Sequence, residues 1–351
     1  MQFFIGAGLA GVALTIPADN FLRYTLAFFW LMAFSSATHD IAADGFYMLA
    51  LNDHQQAWFV GIRNTFYRAA FISGQGLLVI LAGQLEVNTG DIPYSWMITF
   101  LIVSGLFILF LVYHSFLLPY SKTDVKREQI EYRSFLSEYY KTFVKFFRKK
   151  NILTIIAFIL LYRLGEAQLV KLASPFLLDS KEAGGLALST TQVGFVYGTI
   201  GVIALTIGGL LGGFVAAKQG LKFWIWWMVI AINIPDLVYI FLAYTQISDI
   251  FIVNLCIAVE QFGYGFGFTA FILYLIYISE GEFKTSHYAI ATGFMALGMM
   301  LPGMASGWIQ ETIGYKHFFI WIIISTIPAF IITKFIPLDA KFGKKKDNTS
   351  K

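Results

Sequence analysis

Tyr94-Ser-Trp-Met-Ile-Thr-Phe-Leu-Ile-Val-Ser-Gly-Leu-Phe-Ile-Leu-Phe-Leu-Val-Tyr-His-Ser-Phe-Leu117 runs its whole length without Asp, Glu, Lys or Arg. The hydrocarbon core of a bilayer takes about 20 apolar residues per helical crossing, so this stretch alone is long enough to span it. On either side of it, apolar segments fall at 1–18, 23–50, 57–83, 151–172, 190–217, 223–244, 250–278, 287–308 and 317–338. Together with 94–117 they predict about ten crossings. The runs are continuous and far longer than the roughly ten-residue alternating segments of a membrane β-barrel, so the expected fold class is an all-α polytopic bundle. Composition points the same way. With 58% hydrophobic and 13% charged residues over 351 positions, the chain lacks the polar surface of a water-soluble protein.

Basic residues set the expected orientation. Segment 118–150 holds Lys122, Lys126, Arg127, Arg133, Lys141, Lys145, Arg148, Lys149 and Lys150, and the tail holds Lys341, Lys344, Lys345, Lys346 and Lys351. The positive-inside rule places both in the cytoplasm, with an even number of crossings, six, between them. The chain divides accordingly into a partial amino-terminal bundle (1–117), a basic cytoplasmic segment (118–150), a carboxy-terminal six-helix bundle (151–338) and a basic tail (339–351). Within the basic segment, Ile130, Phe135, Leu136, Tyr139, Tyr140, Phe143, Val144 and Phe147 recur at about helical spacing. That pattern fits either a helix lying on the inner leaflet, in contact with membrane lipids, or a plain charged linker.

Several chemistries lack a signal. A single cysteine, Cys256, excludes an internal disulfide, and the dispersed histidines form no ligand motif. No nucleophile and base stand together, so no enzyme is expected; a net charge of +4 concentrated in membrane-flanking segments gives no reason to expect a nucleic-acid partner.

Ionisable residues inside apolar spans are costly, and they mark transport paths or helix-tying ion pairs. Asp40 and Asp44, four apart, can share one helix face. Arg68 lies in the next span as a partner for Asp44 or for an anionic solute. Tyr162-Arg163-Leu164-Gly165-Glu166 places Arg163 and Glu166 three apart, as an ion pair or as a substrate and proton site. Asp236 follows Pro235, whose missing N–H favours a local break, and Glu260 stands between Asn254 and Gln261. Each residue admits a structural reading beside the functional one.

Two local blocks carry a family resemblance. Ser36-Ala37-Thr38-His39-Asp40-Ile41-Ala42-Ala43-Asp44-Gly45-Phe46-Tyr47 resembles the Ser-Ala-(Ser/Thr)-Gln-Asp-Ile-x-x-Asp-Ala block of the AmpG-like muropeptide permeases, a branch of the major facilitator superfamily that also acts in β-lactamase induction signalling. Tyr162-Arg163-Leu164-Gly165-Glu166-Ala167 resembles their Tyr-(Lys/Arg)-Leu-Gly-(Asp/Glu)-Ala block, and Tyr67-Arg68 matches a basic residue in an intervening helix. His39 and Gly45 depart from the pattern. Lys218-Gln219-Gly220 resembles the end of the superfamily's cytoplasmic Gly-x-x-x-Asp-(Arg/Lys)-x-Gly turn, with Ala217 in place of the aspartate.

The resemblance implies a monomeric carrier in the bacterial cytoplasmic membrane. It would import a small glycopeptide, an anhydro-muropeptide, by proton-coupled alternating access and without a cofactor. Asp40, Asp44, Arg68, Arg163 and Glu166 would line or support the path. It also implies a twelve-helix carrier of which this sequence lacks the first two helices, with Met1 falling in the third. Other solutes, such as a peptide, a sugar conjugate or an acyl-coenzyme A, and a nontransporting membrane protein, are the alternatives.

Overall fold

The computed structural model describes residues 1–118 and 132–344. They form helices α1 (Gln2–Thr15), α2 (Phe21–Ala50), α3 (Asp53–Ile72), α4 (Leu78–Thr89), α5 (Ile92–Leu117), α6 (Tyr132–Phe147), α7 (Ile152–Leu161), α8 (Leu164–Leu178), α9 (Thr190–Phe195), α10 (Val202–Gln219), α11 (Leu221–Asn233), α12 (Leu237–Thr245), α13 (Ile250–Ser279) and α14 (Lys284–Thr333). No strand occurs among the described residues. Backbone polar groups in hydrocarbon must be paired internally, and helices achieve this within each segment.

The expected all-α bundle is present, but the expected ten crossings are not. Six stretches are long and apolar enough to cross a membrane among the described residues: Ile92–Leu117, Ile152–Leu178, Gln192–Gln219, Leu221–Thr245, Ile250–Ser279 and Lys284–Thr333. The difference has physical causes. α1 is only 14 residues long, while α2 is diluted by Arg23, His39, Asp40 and Asp44. The segment read as one span at 57–83 carries Arg63 and Arg68 and is interrupted by a π-helical turn, Ser73–Leu77. The segments read as two spans at 287–308 and 317–338 fall largely within the stretch Lys284–Thr333, which counts once among the six although two helices meet in it at the non-helical Gly314 (φ 73°, ψ 164°).

The helices group into two units, Met1–Ala50 with Tyr67–Arg127, and Leu51–Phe66 with Glu128–Lys351. In the first, α1 packs between α2 and α5. Ser104 Oγ donates to the Gly6 carbonyl at 2.7 Å, and a Cβ at Gly8 would meet Met32 at 2.4 Å. Small residues thus bring these helices together where lipid offers no hydrophobic drive for association.

The second unit is centred on α13, whose residues from Gly263 onward are almost continuously buried. α10 lies against it along a glycine seam: a Cβ at Gly208 would sit 2.1 Å from the Phe262 carbonyl oxygen, and one at Gly265 the same distance from that of Leu205. At one end an aromatic core of Phe176, Tyr239, Phe318 and Phe319 closes the bundle. Large apolar side chains remain outside, including Trp308, 71% exposed, and Met304, 73% exposed. Such a surface is made for lipid.

Candidate functional site

Apart from the bend at Gly314, three spans of the second unit depart from regular α-helix at a polar side chain. The span Ile152–Leu178 breaks at Tyr162-Arg163, where Arg163 (φ −113°, ψ 22°) becomes the N-cap of α8. Residues Val196–Gly201 form a π-helical turn containing Tyr197. Ile234–Asp236 form a 3₁₀ turn between α11 and α12. Pro235 lacks the N–H that would continue the α-helical ladder, and Asn233 Nδ2 caps the Val229 carbonyl at 2.8 Å.

Arg163 and Glu166 form a two-point pair: Nε donates to Oε2 at 2.7 Å and Nη2 to Oε1 at 3.1 Å. Both residues are buried. Nη2 also donates to the Tyr264 hydroxyl at 2.8 Å, and the guanidinium carbon lies 4.6 Å from the centre of the Phe268 ring. A planar guanidinium suits this combination of forked hydrogen bonding and ring contact. Next to it, the Tyr162 hydroxyl donates to the Gly267 carbonyl at 2.9 Å, tying the break in the span to α13. One turn along α8, Gln168 Oε1 accepts from Trp321 Nε1 at 2.8 Å.

Asp236 and Glu260 are also buried, and Asp236 Oδ2 has no hydrogen-bond partner. Asp236 lies within electrostatic range of Glu260 and Glu166. Glu260 accepts from Gln261 Nε2 at 2.9 and 3.2 Å and is an electrostatic neighbour of Tyr197 and Tyr239. The two tyrosine hydroxyls are 2.6 Å apart. Close packing explains the approach: a Cβ at Gly263, three residues after Glu260, would meet the Ala231 carbonyl oxygen at 1.9 Å and Pro235 Cγ at 2.8 Å. Three carboxyls from three spans therefore share one neighbourhood with the Arg163 guanidinium.

Of the residues singled out in the sequence, Arg163, Glu166, Asp236 and Glu260 are brought together in the second unit. Asp44 is buried on α2 in the first unit, whereas Asp40, one turn earlier, is exposed. Arg68 belongs to α3, and its side chain lies outside the described residues. The sequence reading did not identify Tyr264, Phe268, Tyr197 or Tyr239. A tyrosine among glycines, as in Gly263-Tyr264-Gly265, is the one local signal that Tyr264 offered. No three His, Cys, Asp or Glu side chains converge as a metal-ligand set among the described residues.

No family model matches the chain. It is 26% identical over 312 residues to a transporter named AmpG 4 from Rickettsia felis, covering 87% of this chain and 70% of that one. It is 24% identical over 348 residues to the anhydromuropeptide permease of Escherichia coli, covering 99% of this chain and 67% of that one. In structure it is similar to FucP, a major facilitator superfamily transporter crystallised in the outward conformation. The TM-score is 0.63 at 14% identity, over 96% of this chain and 83% of that one. The chain is a polytopic membrane protein with the major facilitator fold, related in sequence to the AmpG-type permeases of bacteria.

Proposed function

We propose that the protein is a secondary active transporter of the bacterial cytoplasmic membrane that imports anhydro-muropeptides in symport with protons. The observation that carries this reading is the set of buried polar groups at helix breaks: Arg163, Glu166 and Tyr264 beside Asp236, Glu260 and the Tyr197–Tyr239 pair. Discontinuous helices with polar groups at the break are how transporter bundles build solute and ion sites within hydrocarbon. The Arg163 fork supplies a donor surface for a carboxylate of a peptide stem, in exchange for part of its contact with Glu166.

Neighbouring buried carboxyls cannot change charge independently, so binding of a cationic or anionic group at one alters proton occupancy at the others. That coupling is what symport requires. The sequence relationship to the E. coli anhydromuropeptide permease supports the choice of solute, and the fold of FucP, a fucose:proton symporter, supports the choice of driving ion.

The test is uptake of labelled anhydro-muropeptide by right-side-out vesicles containing the protein, with and without an imposed proton gradient. Gradient-stimulated uptake is expected. Uptake no greater than in vesicles lacking the protein, after insertion is verified, overturns the solute assignment. Uptake indifferent to the gradient overturns the coupling.

A further inference from the structure

Helix α6 and the turn that follows it are docked on the carboxy-terminal bundle at three points. Lys145 Nζ pairs with Glu282 Oε2 at 2.5 Å and lies 4.8 Å from the centre of the Phe283 ring. Lys149 Nζ donates to the carbonyl of Ile278, in the last turn of α13. The Thr142 carbonyl is 3.3 Å from His287 Nε2, and Phe146, fully buried, packs against His287 and Phe294 of α14. These partners are the end of one membrane span, the short turn after it and the first turns of the next. Asn151 then leads directly into the span that starts at Ile152. A connection from Phe147 to Ile152 reaches no more than about 18 Å even when fully extended. The helix is thereby held at the level where the bundle leaves the hydrocarbon.

Successive helical positions turn by about 100°, so α6 presents three faces. Thr142 and Phe146 face the bundle. Tyr139, Tyr140 and Phe147 form a second face and are 58%, 71% and 46% exposed, with Phe143 half-buried among them. Lys141 and Arg148 lie on the third, joined by Lys150 just beyond, all exposed.

We infer that α6 is a lipid-binding collar: its aromatic face enters the interface of the inner leaflet, and Lys141, Arg148 and Lys150 gather anionic phospholipid headgroups around the bundle. The occupant follows from the chemistry and the position. At headgroup depth tyrosine and phenylalanine bury their rings, and the tyrosine hydroxyls stay wet. Basic side chains beside them meet the negative potential of the leaflet. The surface is continuous with the lipid-facing exterior of the spans to which it is anchored. This holds whichever solute the bundle carries.

The experiment uses the full chain in nanodiscs of phosphatidylethanolamine and phosphatidylglycerol. Because Cys256 is the sole cysteine, a Cys256→Ser background accepts a single fluorophore at Tyr140→Cys or, about 160° around α6, at the half-buried Glu138→Cys. Spin-labelled lipid is expected to quench the label at 140 and spare the one at 138. Bound lipids counted by native mass spectrometry are expected to show phosphatidylglycerol enrichment that falls roughly tenfold in the triple variant Lys141→Gln, Arg148→Gln, Lys150→Gln. Equal, weak quenching at both positions overturns the proposal, as does unchanged phosphatidylglycerol enrichment in the triple variant. Self-quenching at 140 that grows with protein per disc would assign the face to a second copy, and also overturn it.

Discussion

Arg163 and Glu166 satisfy each other across a single turn, at 2.7 and 3.1 Å, inside a bundle where 7% and 5% of their surfaces remain exposed. A buried pair of this kind matters most when half of it is removed, since the survivor is an uncompensated charge. Arg163→Leu and Glu166→Leu are each expected to cost about 3–5 kcal/mol, and the double Leu variant distinctly less than their sum. Tyr264→Phe removes one hydrogen bond to the guanidinium and should cost about 1.5–3 kcal/mol. Thermal melts of the purified variants in one detergent check the order. A double variant as unstable as the two single costs added together would show that the pair is not coupled.

The α10–α13 seam makes a separate prediction. Gly265→Ala would place its Cβ 2.1 Å from the Leu205 carbonyl oxygen, a backbone atom that can yield only if the two helices separate. At Gly293, on α14, a Cβ meets nothing within 4 Å. Gly265→Ala should therefore lose about 1–3 kcal/mol or more, and Gly293→Ala should be neutral or slightly stabilising, because alanine is the better helix former. Monodispersity and melting temperature of the two variants compare them directly. Equal behaviour would remove close helix approach as the reason for the glycine at 265.

Apolarity was legible in the sequence at once, and so was the Arg163–Glu166 pair, because i,i+3 geometry is local. The two apolar runs in Lys284–Thr333 fall on either side of Gly314, whose φ of 73° and ψ of 164° separate two helices. What apolarity could not show is where a span departs from regular α-helix. The π-helical turn at Ser73–Leu77 leaves no break in the apolar pattern of 57–83. Asp40 and Asp44 show the limit of periodicity: four residues apart and close to one face, they differ in exposure because neighbouring helices cover only part of that face. Tyr264 and the Tyr197–Tyr239 contact are products of tertiary packing across 101 and 42 positions, and no spacing rule reaches that far.

Glu280, at the end of α13, gives a pH prediction outside the spans. Partial desolvation and then the neighbouring Asp53 carboxyl hold its own carboxyl above the ordinary value, against Lys284 and Lys149, which pull it down. The folded chain therefore binds this proton more tightly than the unfolded chain does. The resulting stability is fully present below the ordinary carboxylate value and is lost as pH rises through the raised one. Melting temperature should climb as pH is lowered from about 7.5 towards about 5, and Glu280→Gln should flatten part of that slope while raising stability at the neutral end. An unchanged slope in the variant would place the proton elsewhere.

The proposed proton coupling separates two activities that a structural role for Asp236 and Glu260 would lose together. Solute exchange across a membrane without a gradient needs the binding site and the conformational change, but no net proton release. Accumulation against a gradient needs net proton release as well. If Asp236, whose Oδ2 has no hydrogen-bond partner, and Glu260, its electrostatic neighbour, handle the proton, then Asp236→Asn and Glu260→Gln keep the local volume while fixing the charge. Each variant should lower gradient-driven accumulation of anhydro-muropeptide by at least about tenfold, equivalent to about 1.4 kcal/mol of lost driving force, and retain exchange within a few fold of the unaltered protein. Tyr239→Phe, which removes one hydroxyl of the 2.6 Å pair beside Glu260, should slow accumulation without abolishing it. Parallel loss of exchange and accumulation in the carboxyl variants would assign these residues to packing or solute contact. Accumulation that survives both substitutions would remove them from the proton path, and leave Glu166 as the carboxyl of this cluster to test next.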